Sequence, residues 1–300
     1  MKLGSTDLKG IIAASITPAT RDFGIDAGRL GAHIDRLLAQ GCSFVSTFGT
    51  TGEGASLSTQ SKLAALDELK RTGHDMRRQI PAVMTTVLDD AAALLAGYAE
   101  RGCRAVLILP PFYYGAGEGG IADWFDALMA RTPGVSIDLL LYNIPQLSRV
   151  HFTASLVAEL IARNGKRIVG IKDSTGDVDN GIMLASTFPQ LSVFTGDDRV
   201  LPRLLANGGA GMIGGLPNIF ARDLRALYEN PADAGRIAAQ TERILAVDRF
   251  GSLVALKAAL AHYYADEEMA RPLPPLEPIG PKDRAALLAA FAQSGFDAAI

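Results

Sequence analysis

The sequence predicts an α/β protein in which eight short strands close into a (β/α)8 TIM barrel, followed by a C-terminal extension of three helices. Eight short apolar segments alternate with amphipathic helical patterns, which is typical of a parallel sheet. The chain has 300 residues, enough for a barrel of about 250 residues and an extension. An open, doubly wound sheet is the rival fold. No Gly-x-Gly-x-x-Gly follows the first strand, which counts against a dinucleotide-binding domain.

The predicted strands are short, rich in β-branched residues and bounded by glycine, proline or polar residues. They cover residues 11–16, 43–48, 80–86, 105–109, 137–142, 168–172, 191–195 and 210–213. Helices are predicted between them at 26–39, 59–72, 90–101, 121–130, 153–163, 179–188 and 200–207. In the first helix, Leu30, Ile34 and Leu37 share one face, and Gly41 ends the pattern.

Three further amphipathic helices follow the eighth strand, at about 233–250, 253–266 and 282–292. A proline-rich segment separates the last helix from the other two. We therefore expect a barrel over residues 1–222 and a helical extension over residues 223–300, packed on the flank of the barrel or on another subunit.

The composition of the chain limits the partners, the location and the metal sites that we expect for it. The chain is 48% hydrophobic and 20% charged, with a net charge of −3 and no basic block, so we expect no nucleic acid or membrane partner. The first residues lack an apolar signal core, which favours a cytoplasmic protein. Cys42 and Cys103 are interpreted as reduced packing residues. Two cysteines and four scattered histidines form no metal-ligand cluster, so no metal site is expected.

Lys172 is the most informative candidate residue, because it closes the apolar strand 168–172. Burial disfavours the ammonium form of an amine, and a neutral amine is a nucleophile that forms a Schiff base with a ketone. The alternative is a lysine that extends past the strand end into solvent.

Other reactive side chains also lie at strand ends, which meet at the C-terminal face of a barrel. Thr50 and Thr51 follow the second strand in a glycine-bounded turn suited to a carboxylate. Tyr113 follows the fourth strand, and Tyr142 ends the fifth, where its phenol can transfer a proton. Taken singly, the threonines could cap a helix and the tyrosines could be rim or interface aromatics. Asp198, after the seventh strand, could bind a substrate hydroxyl or cap a helix.

Four motifs in order, Gly-Thr-Thr-Gly-Glu (49–53), Phe-Tyr-Tyr (112–114), Tyr-Asn-Ile-Pro (142–145) and Ile-Lys-Asp (171–173), resemble the dihydrodipicolinate synthase/N-acetylneuraminate lyase family. The resemblance covers the whole predicted barrel and the trailing helices. It implies a class I lyase that forms a Schiff base with pyruvate or another 2-oxo acid and needs no metal or organic cofactor. It also implies a homotetramer, a dimer of dimers.

The resemblance assigns roles to individual residues. Lys172 matches the Schiff-base lysine, Tyr142 the proton shuttle, and Thr50 with Thr51 the pair that holds the pyruvyl carboxylate. Tyr113 matches a tyrosine that reaches across a dimer interface to complete a hydroxyl relay. Four further positions match substrate-binding positions of the family: Ile213 through its backbone carbonyl, Gly196 and Asp198 at the distal end, and Gly215.

The sequence differs from the family pattern at three positions, and these differences change which substrate we expect. Leu147 stands where the synthase branch has a carboxylate-binding arginine, although Arg149 lies two residues further on. Arg199 and Gly215 stand where the lyase branch has a glutamate and a serine. We therefore expect an aldolase acting on a 2-keto-3-deoxy sugar acid. The alternatives are a dihydrodipicolinate synthase condensing pyruvate with aspartate semialdehyde, a dehydratase of a 2-keto-3-deoxy acid, and a catalytically silent small-molecule-binding barrel.

Overall fold

A computed structural model of the protein describes residues 8–295. Eight parallel strands run through its centre: β1 (Gly10–Ala14), β2 (Phe44–Ser46), β3 (Ala82–Val83), β4 (Ala105–Ile108), β5 (Asp138–Asn143), β6 (Ile168–Asp173), β7 (Ser192–Thr195) and β8 (Gly211–Gly214). The predicted strands all exist, but several are shorter than expected, β3 most of all.

The sheet has the strand order β2-β1-β8-β7-β6-β5-β4-β3. Its two ends meet through a parallel bridge between Val45 and Gln79. Two backbone hydrogen bonds support this join, from Ile80 N to Val45 O (2.9 Å) and from Ala82 N to Thr47 O (2.8 Å). The predicted eight-stranded barrel is therefore confirmed.

Twelve α-helices lie within residues 8–295: α1 (Ala27–Ala39), α2 (Thr59–Arg71), α3 (Leu88–Glu100), α4 (Glu118–Arg131), α5 (Pro145–Ser148), α6 (Ala154–Asn164), α7 (Val178–Thr187), α8 (Leu201–Ala206), α9 (Pro217–Glu229), α10 (Ala234–Arg249), α11 (Leu253–Tyr263) and α12 (Pro281–Gln293). Side-chain N-caps fix several starts, such as Asp26 on α1 and Ser58 on α2. None of the helices among the described residues is both long and apolar enough to span a bilayer.

The sequence interpretation did not anticipate α5 and α9. Helix α9 follows β8 and completes the ring around the barrel, and the boundary expected at residue 222 falls inside it. The three helices of the extension are α10, α11 and α12, within two or three residues of the expected bounds. Phe291 of α12 packs edge-to-face on Phe220 of α9, with ring centroids 4.9 Å apart.

Alternation along the strands divides the core into two layers. In β1, Ile12 and Ala14 point into the barrel, whereas Ile11 and Ala13 pack against the surrounding helices. The same alternation places Tyr142 of β5 inside the barrel, at its C-terminal end. The strand register therefore determines which side chains reach the mouth of the barrel.

Candidate active site

The C-terminal ends of the strands open into a cavity of about 450 Å3. Residues from β5, β6 and β8 and from the segments after β2, β5, β6, β7 and β8 form its floor and most of its walls. The extension closes the remaining side, with Ile244, Val247 and Asp248 of α10 and Leu253 and Leu256 of α11. Barrel and extension thus enclose the cavity together.

A chain of three polar groups lies at the floor of this cavity. The register between β5 and β6 places Tyr142 beside Lys172. Lys172 Nζ lies 3.2 Å from the Tyr142 hydroxyl, which in turn lies 3.1 Å from Thr50 Oγ1. Both Lys172 and Tyr142 are buried, at 5% and 1% exposure. An amine, a phenol and an aliphatic hydroxyl are therefore hydrogen-bonded in series beneath the cavity.

The surroundings of Lys172 leave its amine facing the cavity. Within residues 8–295, no carboxylate forms a salt bridge with its Nζ, which lies 4.2 Å from the centre of the Tyr142 ring. Gly196 is required beside it, because a Cβ there would lie 3.1 Å from Lys172 Cε and would collide with the Ser174 hydroxyl. The lysine does not extend past the strand end into solvent.

Most of the predicted site residues meet at this cavity. Thr51, Gly196 and Gly215 line it together with Lys172, Tyr142 and Thr50. The side chain of Ile213 packs inside the barrel instead, and the next residue, Gly214, lines the cavity. Ile213 was expected to contribute only its backbone carbonyl, so its buried side chain is compatible with that expectation.

Two predicted site residues lie elsewhere. Tyr113 is 75% exposed on the loop after β4, has a φ of 82°, and stacks edge-to-face on Tyr114. Asp198 is 2% exposed and is not among the residues that line the cavity. Among the described residues, neither of its carboxylate oxygens has a hydrogen-bond partner, and burial raises the pKa of Asp198 to about 8, aided by Asp197.

The distal end of the cavity is charged. Asp197, Arg199 and Asp248 line it, and Arg199 donates to Asp197 through Nε (2.9 Å) and Nη2 (2.6 Å). These hydrogen bonds raise the pKa of the Arg199 guanidinium above its usual range. Because Arg199 is engaged by its neighbour, Asp248 leaves this end with a surplus of negative charge.

Several lining residues were missed from the sequence. Ser174 and Thr175 follow β6 directly, and Gln146 donates to the Ser174 carbonyl at 2.8 Å. Their position after strands could have indicated them. Asp248 and Ser252 come from the extension, where no strand-end pattern applies, so the sequence carried no signal for them.

The two arginines singled out from the sequence differ in position. Arg199 lines the cavity, whereas Arg149 is exposed at the end of α5 and is not among the lining residues. Leu147 lies at the rim and is 58% exposed. Within residues 8–295, no group of three or more histidine, cysteine, aspartate or glutamate side chains is arranged to hold a metal ion.

Comparison with known proteins identifies the family and the relatives of this chain. The sequence model of the dihydrodipicolinate synthetase family matches residues 7–291. The chain belongs to this family. An uncharacterised DapA-like lyase of Chloroflexus aurantiacus is 35% identical over 289 residues, covering 94% of this chain and 96% of that protein.

Solved structures agree with this assignment. The crystal structure of dihydrodipicolinate synthase from Agrobacterium tumefaciens superposes with a TM-score of 0.90 at 30% identity, covering 95% of this chain and 98% of that one. The structure of KD(P)GA from T. tenax gives a TM-score of 0.83 at 25% identity, covering 96% and 99%. The protein is therefore a lyase of the aldolase type found in this family.

Proposed function

We propose that the protein is a class I aldolase that forms a Schiff base between Lys172 and pyruvate, and that cleaves or forms a 2-keto-3-deoxy sugar acid. The observation that carries the proposal is the hydrogen-bonded series of Lys172, Tyr142 and Thr50 at the floor of the cavity. An amine beside a proton-transfer group is the arrangement that imine chemistry needs.

Imine formation uses each member of the series. The Lys172 amine attacks the C2 ketone, and the Tyr142 hydroxyl protonates the resulting alkoxide. The deprotonated Tyr142 takes the extra proton from the nitrogen to give the carbinolamine and passes it to the departing hydroxyl, which leaves as water, so that an iminium ion at C2 and a deprotonated Tyr142 remain. Thr50 and Thr51 hold the substrate carboxylate, and Thr50 accepts from or donates to Tyr142 as the phenol exchanges its proton.

Cleavage follows from the same arrangement. A base, the deprotonated Tyr142, removes the proton of the C4 hydroxyl, the C3–C4 bond breaks, and its electron pair moves into the iminium to give an enamine and an aldehyde. Protonation of the enamine at C3 and hydrolysis of the imine by water release pyruvate and free Lys172.

The lining of the cavity supports a sugar-acid substrate over aspartate semialdehyde. Leu147, not an arginine, stands at the rim, and Arg149 lies away from the cavity. Beyond the floor, the lining offers hydroxyl and amide groups from Gln146, Ser174 and Thr175, which suit a chain of hydroxyls.

Borohydride trapping tests the proposal. Reduction in the presence of pyruvate should inactivate the enzyme and add one reduced pyruvyl group at Lys172, detected by peptide mass spectrometry. A panel of 2-keto-3-deoxy acids, assayed for pyruvate release, should contain a substrate turned over faster than aspartate semialdehyde is condensed. Labelling at another residue, or no labelling, contradicts the imine mechanism.

We further propose a homotetramer, a dimer of dimers, in which Tyr113 of one subunit approaches Thr50 of another. Tyr113 and Tyr114 are 75% and 78% exposed. A second, mainly apolar cavity of about 320 Å3 borders Thr50 and is lined by Met84, Leu109 and Phe112. It offers a place for an aromatic ring beside the hydroxyl series. Light scattering at micromolar concentration should give an oligomer, and a monomer would contradict this proposal.

A cytoplasmic location is also proposed. Cys42 and Cys103 are both buried free thiols, as a reducing compartment would maintain them. Fractionation of the native host should recover the protein in the cytoplasmic fraction.

A further inference from the structure

A buried ion pair joins the extension to the loop that carries Thr50 and Thr51. Glu53, the last residue of the Gly-Thr-Thr-Gly-Glu motif, pairs with Lys257 of α11. The two side chains are 1% and 0% exposed. A pair so deeply buried is held in one geometry, because water cannot replace either partner.

Each partner makes a second bond to the segment after α11. Glu53 Oε2 accepts from the backbone N–H of Leu273 at 2.5 Å, and Lys257 Nζ donates to the carbonyl of Arg271 at 2.7 Å. The ion pair therefore connects three parts of the chain: the threonine loop, helix α11 and the segment around residues 271–273.

The threonine loop is rigid enough to transmit the position of Glu53. Glu53 has a left-handed backbone, with a φ of 55°, and its N–H donates to the carbonyl of Thr50 at 3.1 Å. Gly54 N–H donates to Gly49 at 3.0 Å, and a Cβ at Gly54 would collide with the backbone of Phe48. The backbone of Glu53 is therefore tied to that of Thr50, so an anchor on the Glu53 side chain also restrains Thr50.

Helix α11 connects the same pair to the cavity wall. Leu253 and Leu256 line the cavity, and Lys257 follows directly on the helix. The ion pair thus sets the distance between the threonines on one side of the cavity and the extension wall on the other.

We infer that Glu53 and Lys257 are positioning residues: their ion pair places Thr50 and Thr51 to receive the substrate carboxylate, which makes substrate binding depend on the C-terminal extension. This inference rests on the proposed function, in which the two threonines hold that carboxylate. Neither Glu53 nor Lys257 lines the 450 Å3 cavity that holds Lys172, so neither acts on the substrate directly.

The test compares this pair with a second buried pair at the opposite end of the barrel. Arg104 and Asp138 lie 2.6 Å apart, at 4% and 1% side-chain exposure, at the N-terminal ends of β4 and β5. Glu53→Gln and Asp138→Asn remove the same charge from similar environments. For each variant, thermal unfolding is measured together with the pyruvate concentration that gives half-maximal borohydride inactivation.

Both variants should unfold at lower temperature, because each removes the charge of a buried carboxylate that is paired with a cation. Only Glu53→Gln should raise the half-saturating pyruvate concentration, by about tenfold or more, since small displacements of binding groups have large effects. The double variant Glu53→Gln/Lys257→Met leaves no unpaired charge. It should regain most of the thermal stability and keep the raised pyruvate requirement, and it replaces the single variant if that one does not fold.

The outcomes separate the two proposals. Absence of pyruvate labelling in the wild type overturns the proposed function, and this inference with it. Normal labelling of the wild type, with an unchanged pyruvate requirement in both Glu53 variants, overturns the positioning role alone. An equal rise in Asp138→Asn also overturns it, because the effect would then belong to any buried ion pair of the barrel.

Discussion

The floor and the distal end of the cavity are built in different ways. At the floor, Lys172 and Tyr142 come from neighbouring strands, are buried, and are joined by a hydrogen bond fixed by strand register. At the distal end, Asp197, Arg199 and Asp248 come from a loop and from the extension, and Asp248 is exposed. The floor is thus suited to one chemistry, whereas the distal end can change without disturbing the sheet.

The largest effect is expected from removing Lys172, the proposed nucleophile, from the floor of the cavity. Lys172→Ala should abolish nearly all turnover and all borohydride labelling, because no other group at the floor can form the imine. Lys166→Ala, at an exposed lysine before the same strand, is the control and should retain wild-type activity. Substantial pyruvate release by Lys172→Ala would show that the floor is not the reaction centre.

The second-largest effect is expected from removing the hydroxyl of Tyr142. Tyr142→Phe keeps the ring in the barrel core and removes only the hydroxyl between Lys172 and Thr50. We expect kcat to fall by about 10²-fold or more, the range for loss of a general acid–base group. Steady-state kinetics with the best sugar-acid substrate measures it, and an unchanged kcat would remove Tyr142 from the proton path.

A smaller effect is expected at the rim of the cavity, where we expect Leu147 to influence which substrate is accepted. Leu147→Arg should favour condensation of aspartate semialdehyde over sugar-acid cleavage by about tenfold to a hundredfold, the value of one charge-assisted hydrogen bond. Assaying both reactions in each variant measures this ratio.

Arg149→Ala is the companion variant, and it should leave both reactions unchanged because Arg149 is not among the residues lining the cavity. Efficient synthase activity in the wild type, lost in Arg149→Ala, would instead identify the protein as a dihydrodipicolinate synthase.

The Asp248 carboxylate, at the distal end of the cavity, should have a modest influence on substrate preference. Asp248→Asn removes one exposed negative charge, so the preference for an unphosphorylated over a phosphorylated 2-keto-3-deoxy acid should fall by about four- to sixteenfold, as expected for a phosphate of one to two charges at about 5 Å in water. Ratios of kcat/KM for the two substrates measure it. Glu242→Gln, on the same helix but outside the cavity, should change nothing. An equal change in both variants would indicate a general charge effect.

The last effect is on stability, not activity, and concerns Asp198, whose pKa burial raises from 3.8 to about 8. Since the folded protein holds this proton more tightly than the unfolded chain, stability should decrease as pH rises from about 4 through about 8. Asp197, Asp248 and Arg199 face this group. Melting temperatures between pH 5 and 9 should fall less in Asp198→Asn than in the wild type. Parallel curves would mean that Asp198 is already ionised in the folded protein.

The sequence predicted the floor of the site better than its distal end. The C-terminal ends of the strands converge in any parallel barrel, independently of the loop conformations. Lys172, Tyr142 and Thr50 could therefore be placed together from connectivity alone. Gly196 and Gly215 followed from the family resemblance. The loop after β7 turns Asp198 into the interior and Asp197 into the cavity, a choice between adjacent residues that side-chain packing makes and that no pattern reveals.

The fold was predicted in outline for similar reasons. Apolar strands and amphipathic helices have periods that can be read directly, whereas α9 begins at Pro217 after a glycine pair and was missed. The contacts of the extension with the cavity depend on packing between distant segments, which periodicity does not encode. For that reason Asp248 and the partnership of Glu53 with Lys257 emerge only from the structure.

The stretch of the extension that lines one side of the distal end has a consequence for engineering. Residues 244–256 contribute Ile244, Val247, Asp248, Ser252, Leu253 and Leu256 to the cavity and contain none of the floor residues. Exchanging this stretch between relatives is therefore a route to new specificity for the distal end of the substrate that leaves Lys172 unchanged. Since Lys257 follows immediately, the exchanged segment should end at Leu256. Mutant libraries that target the distal end can then be confined to the thirteen consecutive codons of residues 244–256.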